Sequence, residues 1–152
     1  MDLFSKYHNI PLLSCIIMTC LKNRKTINIA RLSLLIPMFL DDQIVNRLSH
    51  KSEAIKLSNL LNLHQRILSN YNARYYTLLP YIITSLTILL DMNVIIINNG
   101  TIINDSNNSF DDLKLKIESQ KMQKIINTVD VLLKITENYT TKELFKLLNV
   151  QL

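Results

Sequence analysis

The sequence contains few of the residues that form loops and phosphate-binding turns. Its 152 residues include one glycine, three prolines and no tryptophan. Because a single glycine cannot supply a P-loop or a dinucleotide-binding fingerprint, both kinds of nucleotide site are excluded. The hydrophobic content of 48% is ample for a packed core. The composition therefore predicts one mainly helical domain, or one such domain with a helical extension.

Cysteine, secretory signals and membrane spans are also scarce or missing. Cys15 and Cys20 lie five positions apart within an apolar helical pattern, which favours small core residues over a disulfide framework or a metal site. Residues 77–90 are apolar but too few for the roughly 20 that cross a bilayer, so we expect a fully buried core helix there. These features predict a cytoplasmic protein without a membrane segment.

Residue patterns for catalysis are absent from the sequence. The histidines His8, His50 and His64 have no carboxylate or cysteine at metal-ligand spacing, and His64 falls on an apolar helical stripe. The pairs Asp41-Asp42 and Asp111-Asp112 fit helix N-cap positions better than acid–base catalysis. No serine or cysteine lies in a nucleophile elbow. We therefore expect no enzymatic activity, no cofactor and no metal.

Residues 70–104 predict a helix that leads directly into a tight β-hairpin. β-Branched residues at 94–97 and 101–103 flank Asn98-Asn99-Gly100, and Asn-Gly favours the type I′ turn of a hairpin. With helices upstream, this pattern predicts a winged-helix-like helical domain over residues 1–104. Residues 105–152 are predicted to be a C-terminal helical extension. The fold class is mainly α with a small β-hairpin.

Periodic apolar positions and capping residues predict the other helices. We expect them at residues 11–22, 28–40, 41–48, 53–69, 112–137 and 144–148. Asn28 and Ser52 are predicted N-caps, and Thr140 with Glu143 forms a capping box. A basic turn is expected at residues 22–25, a kink or break at Pro37, a bend near Tyr76 caused by Pro80, and polar turns at 70–72 and 105–112.

The net charge of +5 resides in the first part of the chain. Residues 1–104 hold 10 Lys and Arg against 5 Asp and Glu, whereas residues 105–152 hold 7 of each. Two interpretations stay open, a basic face that meets DNA phosphates and an ordinary solvated surface. The candidate DNA-phosphate residues are Lys22, Arg24, Lys25, Arg31, Arg47, Lys51 and Lys56. The predicted third helix is short and mixed in charge, which does not favour sequence-specific readout.

Four tyrosines, Tyr71, Tyr75, Tyr76 and Tyr81, surround Arg74 in the sequence. Tyrosine and arginine are over-represented at binding hot spots, so this cluster is one candidate for a partner-binding surface. The alternative is that the rings pack on the core and keep their hydroxyls in water.

Three segments resemble, in order, a family of small bacterial proteins that are middle components of three-component ABC-ATPase systems, including Lamassu anti-phage defence. The segments are IARLSLLIPMFLDDQIVNRLSHK, NARYYTLLPYIITSLTILLDMNVI and YTTKELFKLLNV. The resemblance implies a non-catalytic accessory subunit that links an SMC/Rad50-like ATPase to an effector nuclease, with DNA passing through the complex. Under this interpretation the partner-binding residues are Arg74, Tyr75, Tyr76, Leu144 and Leu148.

Two other functions stay open. The positive charge and the predicted hairpin also fit a stand-alone winged-helix DNA-binding protein. A membrane-associated protein is a third option, although Pro80 and the spread of the charges count against it.

Overall fold

The computed structural model describes residues 10–50, 55–105 and 120–152, and within them the chain is mostly helical with one small sheet. The helices are α1 (Ile10–Arg24), α2 (Ile29–Phe39), α3 (Asp42–Ser49), α4 (Leu57–Leu63), α5 (Gln65–Asp91), α6 (Gln120–Thr136) and α7 (Thr141–Leu147). The strands are β1 (Thr26–Asn28), β2 (Ile95–Asn98) and β3 (Thr101–Asn104). The predicted fold class, mainly α with a small β-hairpin, is confirmed.

The predicted hairpin forms between β2 and β3. Asn99 and Gly100 have φ angles of 48° and 74°, the left-handed values that a type I′ turn needs at both central positions. Asparagine tolerates this region better than most residues, and glycine has no Cβ to oppose it. The local residues therefore account for the turn without help from the rest of the molecule.

A third strand, β1, was not predicted. It lies between α1 and α2 and pairs antiparallel with β3, so the order in the sheet is β1-β3-β2. The predicted basic turn at 22–25 is wrong in its extent, because α1 continues to Arg24 and only Lys25, with φ of 60°, reverses the chain. Three residues are too few to show strand periodicity, and β1 forms because β3 offers a free edge.

The core lies between α1, α2, α5 and α6. All residues of α2 from Leu32 to Phe39 are buried, and α1 packs against both α5 and α6. Ile125, Val129 and Leu132 of α6 are in the same apolar cluster as the residues of α1 and α2. The division of the chain at residue 104 stays a prediction, and residues on both sides of it share one core.

The predicted turn at residues 70–72 is wrong, since α5 runs without interruption from Gln65 to Asp91. Asparagine is only a weak helix breaker, whereas Tyr71 is fully buried against α2 and holds the helix together across this point. The predicted helix over 53–69 is also wrong. It is divided at His64, whose φ of −123° and ψ of 44° are not helical. Ser52 lies outside the described residues.

Helix α2 continues two residues past Pro37, so of the predicted kink or break the break is wrong, and the kink stays a prediction. Proline near a C-terminus removes only one backbone hydrogen bond, and the flanking residues are held by burial. Helix α5 likewise contains Pro80 without ending there. The predicted loop at 105–112 and the first part of the predicted helix 112–137 lie outside the described residues.

Three predicted caps are confirmed. The Asn28 side chain accepts from the amides of Ala30 and Arg31, and Asp41 accepts from those of Gln43 and Ile44. Thr140 and Glu143 form the reciprocal capping box at the start of α7. Each cap satisfies amides that have no partner within the helix.

Candidate functional site

Tyr75, one of the predicted partner-binding residues of α5, contacts α7 within the chain itself. The buried ring of Tyr75 meets Phe145 of α7 edge to face, with centroids 6.1 Å apart and an interplanar angle of 80°. The Tyr76 ring contacts that of Tyr75 at 5.2 Å. Leu144 and Leu148 are fully buried. The Tyr75–Phe145 contact joins α7 to α5, while α7 also packs against α2.

Residues of α5 also bind the backbone of the segment that follows α7. The Asn72 side-chain oxygen accepts from the Gln151 amide at 3.0 Å, and the Tyr76 hydroxyl donates to the Gln151 carbonyl. Asn149 has φ of 54°, which turns the chain after the helix, and Val150 is buried. Both backbone groups of Gln151 are therefore recognised by one face of α5.

Arg74 and Tyr71 connect α5 to the end of α2. Arg74 forms an ion pair with Asp41 at 3.0 Å and donates to the Pro37 carbonyl at 3.4 Å. The Pro37 carbonyl can accept from Arg74 because the Asp41 amide donates to the Met38 carbonyl instead. The Tyr71 hydroxyl donates to the Leu34 carbonyl at 2.6 Å, and burial raises the pKa of Tyr71 above its usual range.

Of the five predicted partner-binding residues, Tyr76 keeps the most exposed side chain. It is 45% exposed, whereas Tyr75, Leu144 and Leu148 are buried and Arg74 is half-buried in its ion pair. Their role in partner binding stays a prediction. If the prediction is right, Tyr76 is the member of the set that a partner reaches without displacing α7.

Two of the predicted DNA-phosphate residues have internal partners. The Arg31 guanidinium donates to the carbonyls of Thr136 and Tyr139 and so caps the end of α6, while its burial lowers the pKa of Arg31. Arg24 pairs with Glu137 at 3.1 Å. Both contacts link the α1–β1–α2 region to the end of α6, across more than 100 residues of sequence.

The other predicted DNA-phosphate residues differ in exposure. Lys22, Lys25 and Lys56 are exposed. Arg47 is half-buried, and its Nε has no hydrogen-bond partner among the described residues. Lys51 lies outside the described residues. Sequence reasoning missed the internal roles of Arg24 and Arg31 because the carbonyl and carboxylate partners lie far away in the chain.

The prediction of a fully buried helix over residues 77–90 is wrong. One side of α5 packs on α1 and α2, while Ile83, Ile88 and Leu90 on other sides are 55%, 39% and 37% exposed. Residues 75–90 include no charged side chain. Uniform hydrophobicity gives no periodic signal for which side is covered, so only the packing reveals the exposed face.

Residues 9–152 match the family model described as ABC-three component (ABC-3C) system Middle Component 3. The chain belongs to this family. A middle component is one part of a multi-component system, so this protein has partner components. No curated protein and no solved structure matches the chain.

The resemblance seen in the three sequence segments is therefore confirmed at the level of an ABC-3C middle component. Within the described part of this middle component, no three His, Cys, Asp or Glu side chains are grouped so as to hold a metal ion. None of its described helices has both the length and the apolar character of a membrane span. Burial raises the pKa of the Cys20 thiol to about 12, and Cys15 is also buried.

Proposed function

We propose that this middle component is a non-catalytic accessory subunit that links an SMC/Rad50-like ATPase to an effector nuclease in a Lamassu-type anti-phage or anti-plasmid defence complex. The observation that carries the proposal is the family match over residues 9–152. The three ordered segments of the sequence that resemble such middle components support it. In this role the protein binds and positions other subunits in the cytoplasm and performs no reaction of its own.

The contacts of the described residues fit a rigid connecting subunit. Side chains suited to chemistry or ligand binding, Arg31, Asp41 and Arg74, are engaged in holding helices together. Over residues 75–90 the exposed side of α5 is uncharged and partly apolar, and an apolar exposed surface is a common mark of a protein-binding site. A subunit of this kind contributes shape and surface to a complex.

Co-expression with the neighbouring operon components tests the linking role. The tagged ATPase component should capture the effector component when this chain is present, and should lose it when the chain is omitted. Tyr76→Ala tests the predicted partner residue whose side chain is exposed, and Leu63→Ala is a matched control because Leu63 is 56% exposed on α4. Capture of the effector without this chain would contradict the proposal.

A second candidate is a stand-alone winged-helix DNA-binding protein. The observation that favours it is the three-stranded sheet, in which a hairpin following a long helix pairs with a strand between α1 and α2. The exposed Lys22 and Lys25 shortly precede β1 in the chain. The isolated chain should then bind duplex DNA with an affinity that falls steeply with salt. Absence of binding at low salt would exclude this function.

A further inference from the structure

Three asparagines in the described part of the chain adopt the left-handed backbone conformation at exposed turns. Asn93, Asn99 and Asn149 have φ angles of 56°, 48° and 54°, and all three are exposed. Asparagine tolerates this conformation better than most residues, so the φ angles themselves need no further explanation. The three positions share the side chain, the sign of φ and the exposure. They differ in the residue that follows.

The backbone nitrogen that follows Asn93 and Asn149 is protected in both cases. The next residue is a valine whose side chain is buried. The amides of Val94 and Val150 donate to carbonyls of α5 and α7, at 3.2 and 3.0 Å. A β-branched side chain crowds its own backbone nitrogen, and a nitrogen whose N–H is donated is held in place by that bond. Neither nitrogen is free to react with the asparagine before it.

The backbone nitrogen that follows Asn99 has neither kind of protection. It belongs to Gly100, which is exposed, and its N–H forms no hydrogen bond with any described residue. Even an added Cβ at this position would approach only the Asn28 side-chain nitrogen, at 4.0 Å, so the space around the glycine is open. The Gly100 carbonyl accepts from the Ile29 amide at 2.8 Å, which holds the loop but leaves the nitrogen free.

We propose that Asn99 is a site of spontaneous deamidation, in which the Gly100 nitrogen is the nucleophile. This nitrogen loses its proton to solvent base and attacks Cγ of the Asn99 side chain. The new N–Cγ bond closes a five-membered imide, and the side-chain nitrogen takes up a proton and leaves as ammonia. Because both groups belong to adjacent residues, the attack is intramolecular and needs no enzyme.

Water then opens the imide at one of its two carbonyl carbons. If the N–Cγ bond breaks, the product is an ordinary aspartate at position 99. If the bond from the nitrogen to the original main-chain carbonyl breaks, the product is an isoaspartate, whose main chain runs through Cβ and Cγ. Both products place a negative charge on a loop, residues 98–100, that had none.

The two products should affect the sheet differently. Aspartate adopts the left-handed conformation almost as readily as asparagine, so the hairpin should keep its turn. Isoaspartate adds one atom to the main chain of a two-residue loop, and the length of that loop fixes the register of β2 and β3. Ile102 of β3 is fully buried and pairs with both Ile27 and Ile97. We therefore expect the isoaspartate form to be the less stable one.

Peptide mapping by mass spectrometry after incubation of the folded chain tests the proposal. Conversion of amide to acid should accumulate at residue 99, and it should be faster at alkaline pH because the attacking nitrogen must lose its proton. Asn93 and Asn149 are matched controls within the same molecule, and they should keep their amides over the same period. Fragmentation that cleaves the Cα–Cβ bond of isoaspartate distinguishes the two products.

Two variants separate the chemistry from the turn. Asn99→Gly keeps a residue that adopts positive φ but removes the side-chain amide, so the hairpin should form and the conversion should be abolished. Gly100→Ala places a methyl group beside the attacking nitrogen, and it should lose most of the product that wild type forms in the same time. Ion-exchange chromatography separates the acidic forms of wild type, and thermal unfolding should show the isoaspartate form melting below the starting protein.

Two results would overturn the proposal. In the first, Asn99 keeps its amide in the folded chain during the time in which the urea-unfolded chain converts, so the folded turn protects it. In the second, Asn93 and Asn149 convert as fast as Asn99, so the following nitrogen does not decide the site. Either result leaves the linking role intact, because that role is measured by bridging of the ATPase and effector.

Discussion

At the scale of single residues, Arg31 shows how a basic side chain that matches a DNA-binding pattern serves the fold. Its guanidinium donates to two backbone carbonyls at the end of α6, from Thr136 and Tyr139. A forked donor satisfies both, and a lysine ammonium lacks this planar geometry. Position 31 therefore requires the planar guanidinium, and a positive charge alone is not enough.

We expect Arg31→Lys to lower the free energy of unfolding by about 1–2 kcal/mol, the usual range for one or two lost hydrogen bonds of a charged donor. Urea denaturation monitored by circular dichroism measures it. Lys22→Ala, at an exposed position, is the control and should change stability by less than about 0.5 kcal/mol. Equal stability of Arg31→Lys and wild type would show that the two carbonyl contacts contribute little.

Two buried groups that keep their protons in the folded protein make the protein less stable at alkaline pH. Burial raises the pKa of Tyr71, and it raises the pKa of Cys20 to about 12 from the usual 9.0. In the unfolded chain both groups lose their protons earlier as pH rises. The free energy of unfolding therefore keeps its full value below about pH 9. It decreases as pH rises above the pKa values that the two groups have in the unfolded chain.

We expect the free energy of unfolding to decrease above about pH 10 by up to 1.4 kcal/mol per pH unit for Tyr71 alone. Tyr71→Phe removes this group, so its stability curve should fall less steeply over the same range. The variant should also be less stable at neutral pH because the bond to the Leu34 carbonyl is lost. If the free energy of unfolding of wild type and of Tyr71→Phe fell equally steeply above pH 10, Tyr71 would not be the source of the pH dependence.

At the scale of elements, the turn between β2 and β3 depends on the backbone conformation of Gly100. An added Cβ would approach only the Asn28 side-chain nitrogen, at 4.0 Å, so no steric clash with other residues opposes substitution. The cost of a larger residue is then the left-handed φ of 74°.

Gly100→Ala should destabilise the protein by about 1 kcal/mol, and Gly100→Asn by less, because asparagine adopts this region more readily. Thermal unfolding of the two variants gives the comparison. An alanine variant at least as stable as the asparagine variant would mean that the turn relaxes to another type.

Helix α5 shows how one element can serve two surfaces. Its inner side carries Tyr71, Ile82 and Leu89, which are buried against other helices. Over residues 75–90 its outer side carries no charged side chain, and the hydroxyls of Thr77 and Thr87 are bonded to their own helix. An ordinary surface helix would carry charges on that side. The uncharged, partly apolar outer side of α5 supports the protein-binding role that we propose for the chain.

At the scale of the whole molecule, the residues after 104 contribute a large part of the core. Those with fully or nearly fully buried side chains are Ile125, Val129, Leu132, Leu133, Leu144, Leu148 and Val150. At about 1.5–3 kcal/mol for each buried aliphatic side chain, their burial is on the order of 10 kcal/mol. This is comparable to the entire stability of a typical domain, about 5–15 kcal/mol.

We therefore expect a fragment of residues 1–104 to lose cooperative unfolding, because α1 and α2 would expose the apolar surface that α6 and α7 cover. Near-UV circular dichroism and dye binding to exposed apolar surface measure this. The full-length chain is the reference and should unfold in a single transition. A fragment that unfolds as sharply as the full chain would instead support two independent units.

Features that depend on a few neighbouring residues were predicted well from the sequence. The Asn99-Gly100 turn, the Asn28 and Asp41 caps and the capping box of Thr140 follow from backbone preferences and from side chains within four residues. The candidate partner residues of α5 and α7 were also chosen from the sequence. The contact of Tyr75 with Phe145 of α7 was not predicted, because it joins segments about 70 residues apart.

The sequence by itself determined the helical class, the hairpin, the caps and the absence of a glycine-rich phosphate site, because each depends on composition or on short-range geometry. The tertiary structure decided that His64 divides two helices, that β1 pairs with β3, that Arg24 and Arg31 hold the end of α6, and that one side of α5 stays exposed. These depend on which distant surfaces meet, and an evenly apolar helix carries no local information about which of its sides is covered.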